Sequence, residues 1–129
     1  AGMILLARKL DNDSNVYFGA LDAVVRRNAY GRQLGSFVAT ADFGASGDSA
    51  VVVAPGEHVP QDAPADIVLK DFPLVFIRGP FVAEVGPAAT VETSVDGNVV
   101  GLRQGKILAT AFHPELTDDT RIHEMFLSL

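Results

Sequence analysis

The sequence contains no cysteine and no tryptophan, and its acidic residues outnumber its basic ones. The absence of cysteine excludes disulfides, thiolate metal sites and a cysteine nucleophile within these 129 residues. With 10 Lys and Arg against 16 Asp and Glu, the net charge is −6, and no basic stripe is present that would bind nucleic acid. Unbroken apolar runs such as Met3–Ala7 are far too short to cross a bilayer, so we expect no membrane partner.

Histidine is scarce, and its spacing does not suggest a metal site. The three histidines are His58, His113 and His123, and no two of them are placed as zinc ligands usually are. His58 lies in a Pro- and Gly-rich stretch, and His123 falls on the polar side of the last predicted helix, so we expect both rings in solvent. We therefore expect neither a metal ion nor a cofactor.

The apolar content of the chain is sufficient for one globular domain over residues 1–129, since 48 % of the residues are hydrophobic and 20 % are charged. The first ten residues, AGMILLARKL, predict a largely buried helix with Arg8 and Lys9 near its C-terminal end. No capping residue precedes this helix, which favours a sequence that begins inside a fold. A chain that simply starts with a helix is the alternative.

Alternating and apolar segments predict a sheet in the middle of the sequence. Strands are expected at Ala23–Arg26, Ser36–Phe43, Ile67–Lys70 and Leu74–Arg78, the last being apolar enough to be central. The polar stretch RRNAYGRQ between the first two strands predicts a loop. Residues 44–70 are interpreted as a long loop insertion that contains a short strand near 50–54.

The strongest local signal is an antiparallel meander over residues 90–112. It is expected to comprise Thr90–Val95, an Asp96-Gly97 turn, Asn98–Arg103, a Gln104-Gly105 turn and Lys106–Phe112. A C-terminal helix follows, with Thr117 as its N-cap and an apolar face made of Ile122, Met125, Phe126 and Leu129. Helices at both ends and strands between them predict an α/β fold.

His113, Pro114 and Glu115 directly follow the last predicted strand. Side chains two residues apart in extended backbone point the same way, so the imidazole and the carboxylate are expected side by side. A carboxylate beside a histidine orients the ring and stabilises its protonated form, which prepares the ring to deprotonate a nucleophile. The alternative is a His-Pro-Glu turn that caps a surface helix.

Three arginines are candidates for binding an anionic group. Arg27 and Arg32 bracket the polar loop, and Arg78 directly follows the apolar strand. A guanidinium at the end of a central strand is costly to bury unless it meets a carboxylate. That carboxylate belongs either to a ligand or to one of the acidic residues of the chain.

Four stretches together resemble the glutaminase subunits of bacterial pyridoxal 5′-phosphate synthases, which are class I, triad-type glutamine amidotransferases. They are AGMILLA (1–7), VVRRNAYGRQLGSF (24–37), VFIRGP (75–80) and GKILATAFHPELTDDTRIHEMF (105–126). The resemblance covers most of the chain outside the 44–70 range. It implies the flavodoxin-like fold of class I glutamine amidotransferases, here as a fragment without the first βα units.

The resemblance also implies roles for individual residues. In that family a cysteine nucleophile sits on a tight turn before a helix, so the nucleophile would be the residue before Ala1. His113 would be the general base, and Glu115 would be the carboxylate that orients it. Arg27, Ile77 and Arg78 would contribute to the glutamine site.

The same resemblance implies hydrolysis of L-glutamine to L-glutamate and ammonia in the cytoplasm. The ammonia would pass to the partner synthase subunit, an oligomeric TIM barrel. Without the nucleophile, the chain as written is expected to be inactive, and its exposed strand edge and apolar helix face are expected to favour self-association. The alternatives are a non-catalytic domain that binds glutamine or a partner, and another class I amidotransferase.

Three features depart from the family pattern. The Gly-Gly-Glu-Ser stretch that forms the family's oxyanion hole is absent. The excursion over 44–70 is longer than the family suggests, and Gly79 stands where alanine is more usual. The first departure bears on activity, whereas the other two are expected to alter local packing.

Overall fold

The computed structural model describes residues 2–11, 14–26, 36–44, 50–62, 66–77 and 79–129. Within these residues the backbone forms two α-helices, one 3-10 turn and nine strands, which make the chain a mixed α/β protein, as predicted. The helices are α1 (Gly2–Leu6) and α2 (Arg121–Leu127), and the 3-10 turn is Pro114–Leu116. The strands are β1 (Ala7–Leu10), β2 (Leu21–Arg26), β3 (Ser36–Gly44), β4 (Val51–Val53), β5 (Ile67–Ile77), β6 (Phe81–Val85), β7 (Thr90–Val95), β8 (Asn98–Gln104) and β9 (Ile107–Thr110).

The larger sheet has six strands in the order β1-β2-β6-β8-β7, with β9 also paired to β8. Strands β1 and β2 run parallel, and the other pairings are antiparallel. The predicted meander is confirmed as β7, β8 and β9. Asp96 and Gly97 both have positive φ, 50° and 80°, which is the signature of the type I′ hairpin turn that this dipeptide favours.

The second sheet has the order β3-β5-β4, so the apolar strand β5 is central, as predicted. Two separate strands were expected over 67–78, but β5 is continuous from Ile67 to Ile77. Asp71 has a φ of 49° within this strand, and its backbone amide donates to Asp42 Oδ1 at 3.0 Å. This hydrogen bond to β3 stabilises the left-handed backbone at Asp71. The strand therefore continues through residues 71–73, which lie between the two strands that were expected.

The opening helix is shorter than the sequence predicts. It ends at Leu6, and Ala7–Leu10 forms β1, so Arg8 and Lys9 lie on a strand and not at a helix C-terminus. Ala7 and Leu10 are buried while the two basic residues between them are exposed. Parallel pairing of β1 with β2 therefore outweighs the local helical pattern, because the pairing buries both apolar side chains.

The 44–70 range contains regular structure. Residues 51–53 form the predicted short strand, β4, which pairs in parallel with the first residues of β5. Val53 and Val59 are buried, so this part of the chain packs into the core. Strand β6 was not predicted, and the loop expected at RRNAYGRQ lies outside the described residues beyond Arg26, which belongs to β2.

The C-terminal helix begins later than expected. Thr120, not Thr117, is the N-cap of α2, and Thr117 instead ends the 3-10 turn. Ile122 and Met125 are buried as predicted, but Phe126 is 47 % exposed and does not face the core. In the described part of the chain, neither helix has the length and apolarity that crossing a bilayer requires.

The two sheets meet in a cluster of aromatic side chains. The ring of Phe112 lies 6.0 Å from Phe43, 6.3 Å from Phe72 and 5.9 Å from Phe76, measured between centroids. All four side chains are buried. Phe112 comes from the end of the larger sheet and the other three come from the smaller one, so this contact fixes the chain immediately before His113.

Replacing Gly101 with alanine tests how closely the sheets pack. A Cβ at Gly101 would lie 2.6 Å from Phe43 Cε2 and 2.9 Å from Thr93 Cγ2. We expect the free energy of unfolding in urea to fall by about 1–3 kcal/mol, because one ring must move within a filled core. Gly2→Ala is the matched control, since nothing lies within 4 Å of that position and the change should be smaller than about 1 kcal/mol. Equal effects of the two substitutions would contradict the close packing.

Candidate active site

His113 is positioned by backbone contacts between the two sheets. Its amide donates to the carbonyl of Val75 on β5 at 2.8 Å, and the amide of Ala111 donates to Val100 on β8 at 2.8 Å. With the ring of Phe112 buried between these two bonds, the backbone at this point has little freedom. The imidazole leaves the core from a fixed position, and its side chain is 37 % exposed.

The structure brings His113 and Glu115 together, with Nδ1 of the ring 2.7 Å from Oε1 of the carboxylate. The geometric reason differs from the expected one. Residues after His113 are not extended, because Pro114–Leu116 forms a single 3-10 turn for which His113, at φ −111° and ψ 86°, is the N-cap. Proline at the first position suits such a turn, since its missing N–H is not needed there.

The electrostatics of the pair favour an ionised carboxylate. The pKa of Glu115 is lowered, first by a hydrogen bond from its own backbone N–H and then by the bond with His113. An ionised carboxylate only accepts hydrogen bonds, so Nδ1 of His113 must carry the proton that it donates. The other ring nitrogen, Nε2, is then unprotonated in the neutral ring and able to accept a proton.

The end of β5 lies close to His113. Ile77 is the last residue of that strand and is 45 % exposed. A Cβ at Gly79 would lie 2.5 Å from the carbonyl oxygen of Ala111, so the chain after the strand runs directly against the backbone that leads to His113. Of the predicted glutamine-binding residues, Ile77 ends the strand that leads to Gly79, whereas Arg27 and Arg78 lie outside the described residues.

The opening helix packs against the strand that precedes His113. Helix α1 contacts β9, the strand that leads to His113, as well as β1 and β2. Met3 is buried and anchors the helix, while Gly2 is exposed, with nothing within 4 Å of a Cβ built on it. Gly2, the first described residue of α1, is therefore open to solvent on a helix that also contacts the strand preceding the histidine.

The other two histidines have different surroundings. His58 is exposed as predicted, but its Nδ1 lies 3.2 Å from Glu124 Oε1 on α2. His123 is exposed, as predicted, and its charge makes the weakest of the contributions that lower the pKa of Glu115. Among the described residues, no three acidic or histidine side chains are grouped in a way that could hold a metal ion.

Sequence reasoning missed the buried arginine at the start of α2. Arg121 is 2 % exposed, and its guanidinium binds the carboxylate of Asp119 through Nε and Nη2. Its Nη1 also donates to the carbonyls of Val53 and Lys70, both at 2.7 Å. Asp119 Oδ1 accepts the backbone amide of Arg121 at 3.1 Å, so an Asp-x-Arg pattern before a helix was the available signal.

Comparison with known proteins gives relatives along the whole chain. Residues 1–129 match the SNO glutamine amidotransferase family. The pyridoxal 5'-phosphate synthase subunit PdxT of Bifidobacterium adolescentis is 96 % identical over 130 residues, covering 100 % of this chain and 62 % of that protein. The subunit of the same name from Bifidobacterium longum is 74 % identical over 129 residues, covering 100 % of this chain and 59 % of that protein.

A solved structure is also similar. It is described as a crystal structure of glutamine amidotransferase, has a TM-score of 0.72 and 34 % sequence identity, and covers 97 % of this chain and 56 % of its own. The chain thus spans about three fifths of the length of the proteins that it matches. The family match covers residues 1–129, and one relative is 96 % identical along the whole chain. The chain therefore belongs to the SNO glutamine amidotransferase family.

Proposed function

We propose that this chain forms part of a glutaminase that hydrolyses L-glutamine to L-glutamate and ammonia. The observation that carries the proposal is the 2.7 Å contact between His113 Nδ1 and Glu115 Oε1 in a chain of the glutamine amidotransferase family. That contact leaves Nε2 as a base, and a base held by a carboxylate is the arrangement that activates a thiol. The thiol is expected from a cysteine immediately before Ala1.

The proposed reaction has two steps. His113 Nε2 removes the thiol proton, the thiolate attacks the side-chain amide carbon of glutamine, and the imidazolium returns the proton to the leaving nitrogen as ammonia departs. Water, deprotonated by His113, then attacks the thioester carbon, and glutamate leaves as the thiol is regenerated. Glu115 stabilises the imidazolium in both steps.

Three residues are proposed to hold the substrate. Arg27 and Arg78 carry guanidinium groups, which bind carboxylates in a bidentate manner and would suit the α-carboxylate of glutamine. Ile77 is proposed to line the same site because it ends β5, whose Val75 carbonyl accepts the amide of His113. Substitution of either arginine is expected to raise KM more than it lowers kcat.

The proposed partner of the glutaminase is the synthase subunit of pyridoxal 5′-phosphate synthase. Two relatives are named as PdxT subunits of that enzyme, and one of them is 96 % identical to this chain. Ammonia would pass from His113's site to an oligomeric TIM-barrel synthase without release into bulk water. We propose that both proteins act in the cytoplasm.

The test uses the completed protein, by which we mean this chain joined to the part of the Bifidobacterium adolescentis relative that it does not span. With the synthase present, the completed protein is expected to release glutamate and ammonia from L-glutamine in a coupled assay. The 129-residue chain alone is expected to release none, because it contains no cysteine. Glutamine binding without turnover would favour a non-catalytic role, and His113-dependent ammonia release by the 129-residue chain would contradict the thiol mechanism.

A further inference from the structure

The segment between His113 and Arg121 is attached at both ends to the central strand of the smaller sheet. At its start, the amide of His113 donates to the carbonyl of Val75 at 2.8 Å. At its end, Arg121 Nη1 donates to the carbonyl of Lys70 at 2.7 Å. Both acceptors belong to β5, so the segment forms a short strap along that strand.

Thr117 lies at the middle of this strap and forms hydrogen bonds with residues before and after it. Its hydroxyl donates to the carbonyl of Pro114 at 3.1 Å, and its backbone amide donates to the same oxygen at 3.2 Å. The hydroxyl oxygen also accepts the amide of Asp119 at 3.3 Å. One side chain therefore connects the 3-10 turn to Asp119, which the buried Arg121 holds.

The catalytic pair needs this support because it is exposed. The side chains of His113 and Glu115 are 37 % and 58 % exposed, and an exposed ion pair gains little from its own contact. Glu115 lies in the 3-10 turn that follows His113. This turn is a single one, closed by bonds such as that from Leu116 N to His113 O at 3.1 Å. A second bond to Pro114 from the hydroxyl of Thr117 makes this turn harder to open.

We propose that Thr117 is a positioning residue that keeps Glu115 within hydrogen-bonding distance of His113. This inference rests on the proposed function, in which the pair forms the general base. It predicts a specific effect of the hydroxyl group, separate from any effect on global stability. When the hydroxyl is removed, the turn relaxes, and Glu115 loses both the bond from its own N–H and the bond to the ring.

The test compares Thr117→Val, which removes the hydroxyl at constant shape, with Thr117→Ser, which keeps it. Two readouts use the 129-residue chain: a ¹³C titration of the Glu115 carboxyl group and the ¹⁵N shifts that report the tautomer of His113. In T117V we expect the pKa of Glu115 to rise toward its ordinary value, and the Nδ1–H tautomer to become less populated. T117S should behave as the unsubstituted chain in both measurements.

The kinetic readout uses the completed protein. T117V is expected to lower kcat about tenfold with KM changed less than about twofold, since a misplaced base slows chemistry without weakening substrate binding. Thr117→Ala is a second variant in case the valine does not fold. Unchanged Glu115 titration, His113 tautomer and kcat in a folded T117V or T117A would overturn the inference. Failure of the proposed function would look different, because activity would then survive substitution of His113 itself.

Discussion

Substitution of His113 by asparagine in the completed protein is expected to lower kcat for glutamine hydrolysis by about 10⁴-fold or more. Removing the base of a nucleophile–base pair leaves only the acceleration that comes from binding and oxyanion stabilisation. Glu115→Gln is expected to have a smaller effect, about 10²-fold, because Glu115 is 58 % exposed and water can replace part of its role. The measurement is the steady-state rate of glutamate formation with the synthase present.

The control for this prediction is His123→Asn, the same change at an exposed histidine on α2. It is expected to leave kcat within about twofold of the unsubstituted rate, since His123 makes only the weakest contribution to the pKa of Glu115 and surface substitutions seldom matter. Circular dichroism should show the same folded signal in all three variants. Retention of more than a tenth of the activity by H113N would remove the basis of the proposed mechanism.

Substitution of Arg121 by methionine is expected to lower the free energy of unfolding by about 3–5 kcal/mol. The change keeps much of the side-chain volume but removes the guanidinium that donates to the carboxylate of Asp119 and to the carbonyls of Val53 and Lys70. Breaking a buried ion pair by removing one partner is costly for this reason. Urea unfolding followed by circular dichroism measures the difference.

The matched control is Arg8→Met, which breaks the ion pair between Arg8 and Asp22. That pair has the same 2.9 Å Nε–Oδ1 distance as the Arg121 pair, but its side chains are 44 % and 23 % exposed. Its loss is expected to cost less than about 1 kcal/mol. If R8M and R121M destabilise the protein equally, burial does not set the strength of the Arg121 contact.

The pH dependence gives an independent check on Arg121. The pKa of Asp119 is lowered, chiefly by the hydrogen bonds from the Arg121 side chain. A carboxylate with a lowered folded-state pKa contributes stability above its unfolded-state value near 3.8, and that stability is lost as the pH falls through the folded-state pKa. We therefore expect the stability difference between R121M and the unsubstituted chain to be largest near neutral pH and to shrink below about pH 4.

The elements that could be predicted from the sequence are those whose structure depends on neighbouring residues. Asp96-Gly97 specifies its own turn, and the strands on either side follow from it. Strands β1 and β6 were missed because their structure depends on distant partners, Lys9 facing Val24 and Val82 facing Val99. Short apolar segments do not reveal which distant strand will pair with them.

Backbone irregularities also limit what alternation can predict. Glu92 and Thr93 are adjacent on β7, yet both are buried, because the register between β7 and β8 shifts at this point. Simple alternation would place one of the two in solvent. Burial raises the pKa of Glu92, and Arg103 Nε lies 3.4 Å from its Oε1 as the opposing charge.

The meeting of His113 and Glu115 was predictable, but the backbone geometry that brings it about was not. The spacing of His113 and Glu115 indicates that the two side chains meet, and they do so at 2.7 Å. The 3-10 turn replaces the expected extended backbone because Pro114 is well suited to the first position of a helical turn. The contacts of Arg121 could not be predicted, since its guanidinium binds carbonyls on β4 and β5 that sequence patterns do not connect to it.

The hydrogen bonds of Arg121 also constrain when the smaller sheet can reach its final structure during translation. Val53 and Lys70 precede Arg121 by 68 and 51 residues. At about 5–20 residues per second, the ribosome needs several seconds to add the residues between Lys70 and Arg121. Throughout that interval the two carbonyls lack the guanidinium of Arg121, so the smaller sheet reaches its final hydrogen bonding only after α2 has left the exit tunnel.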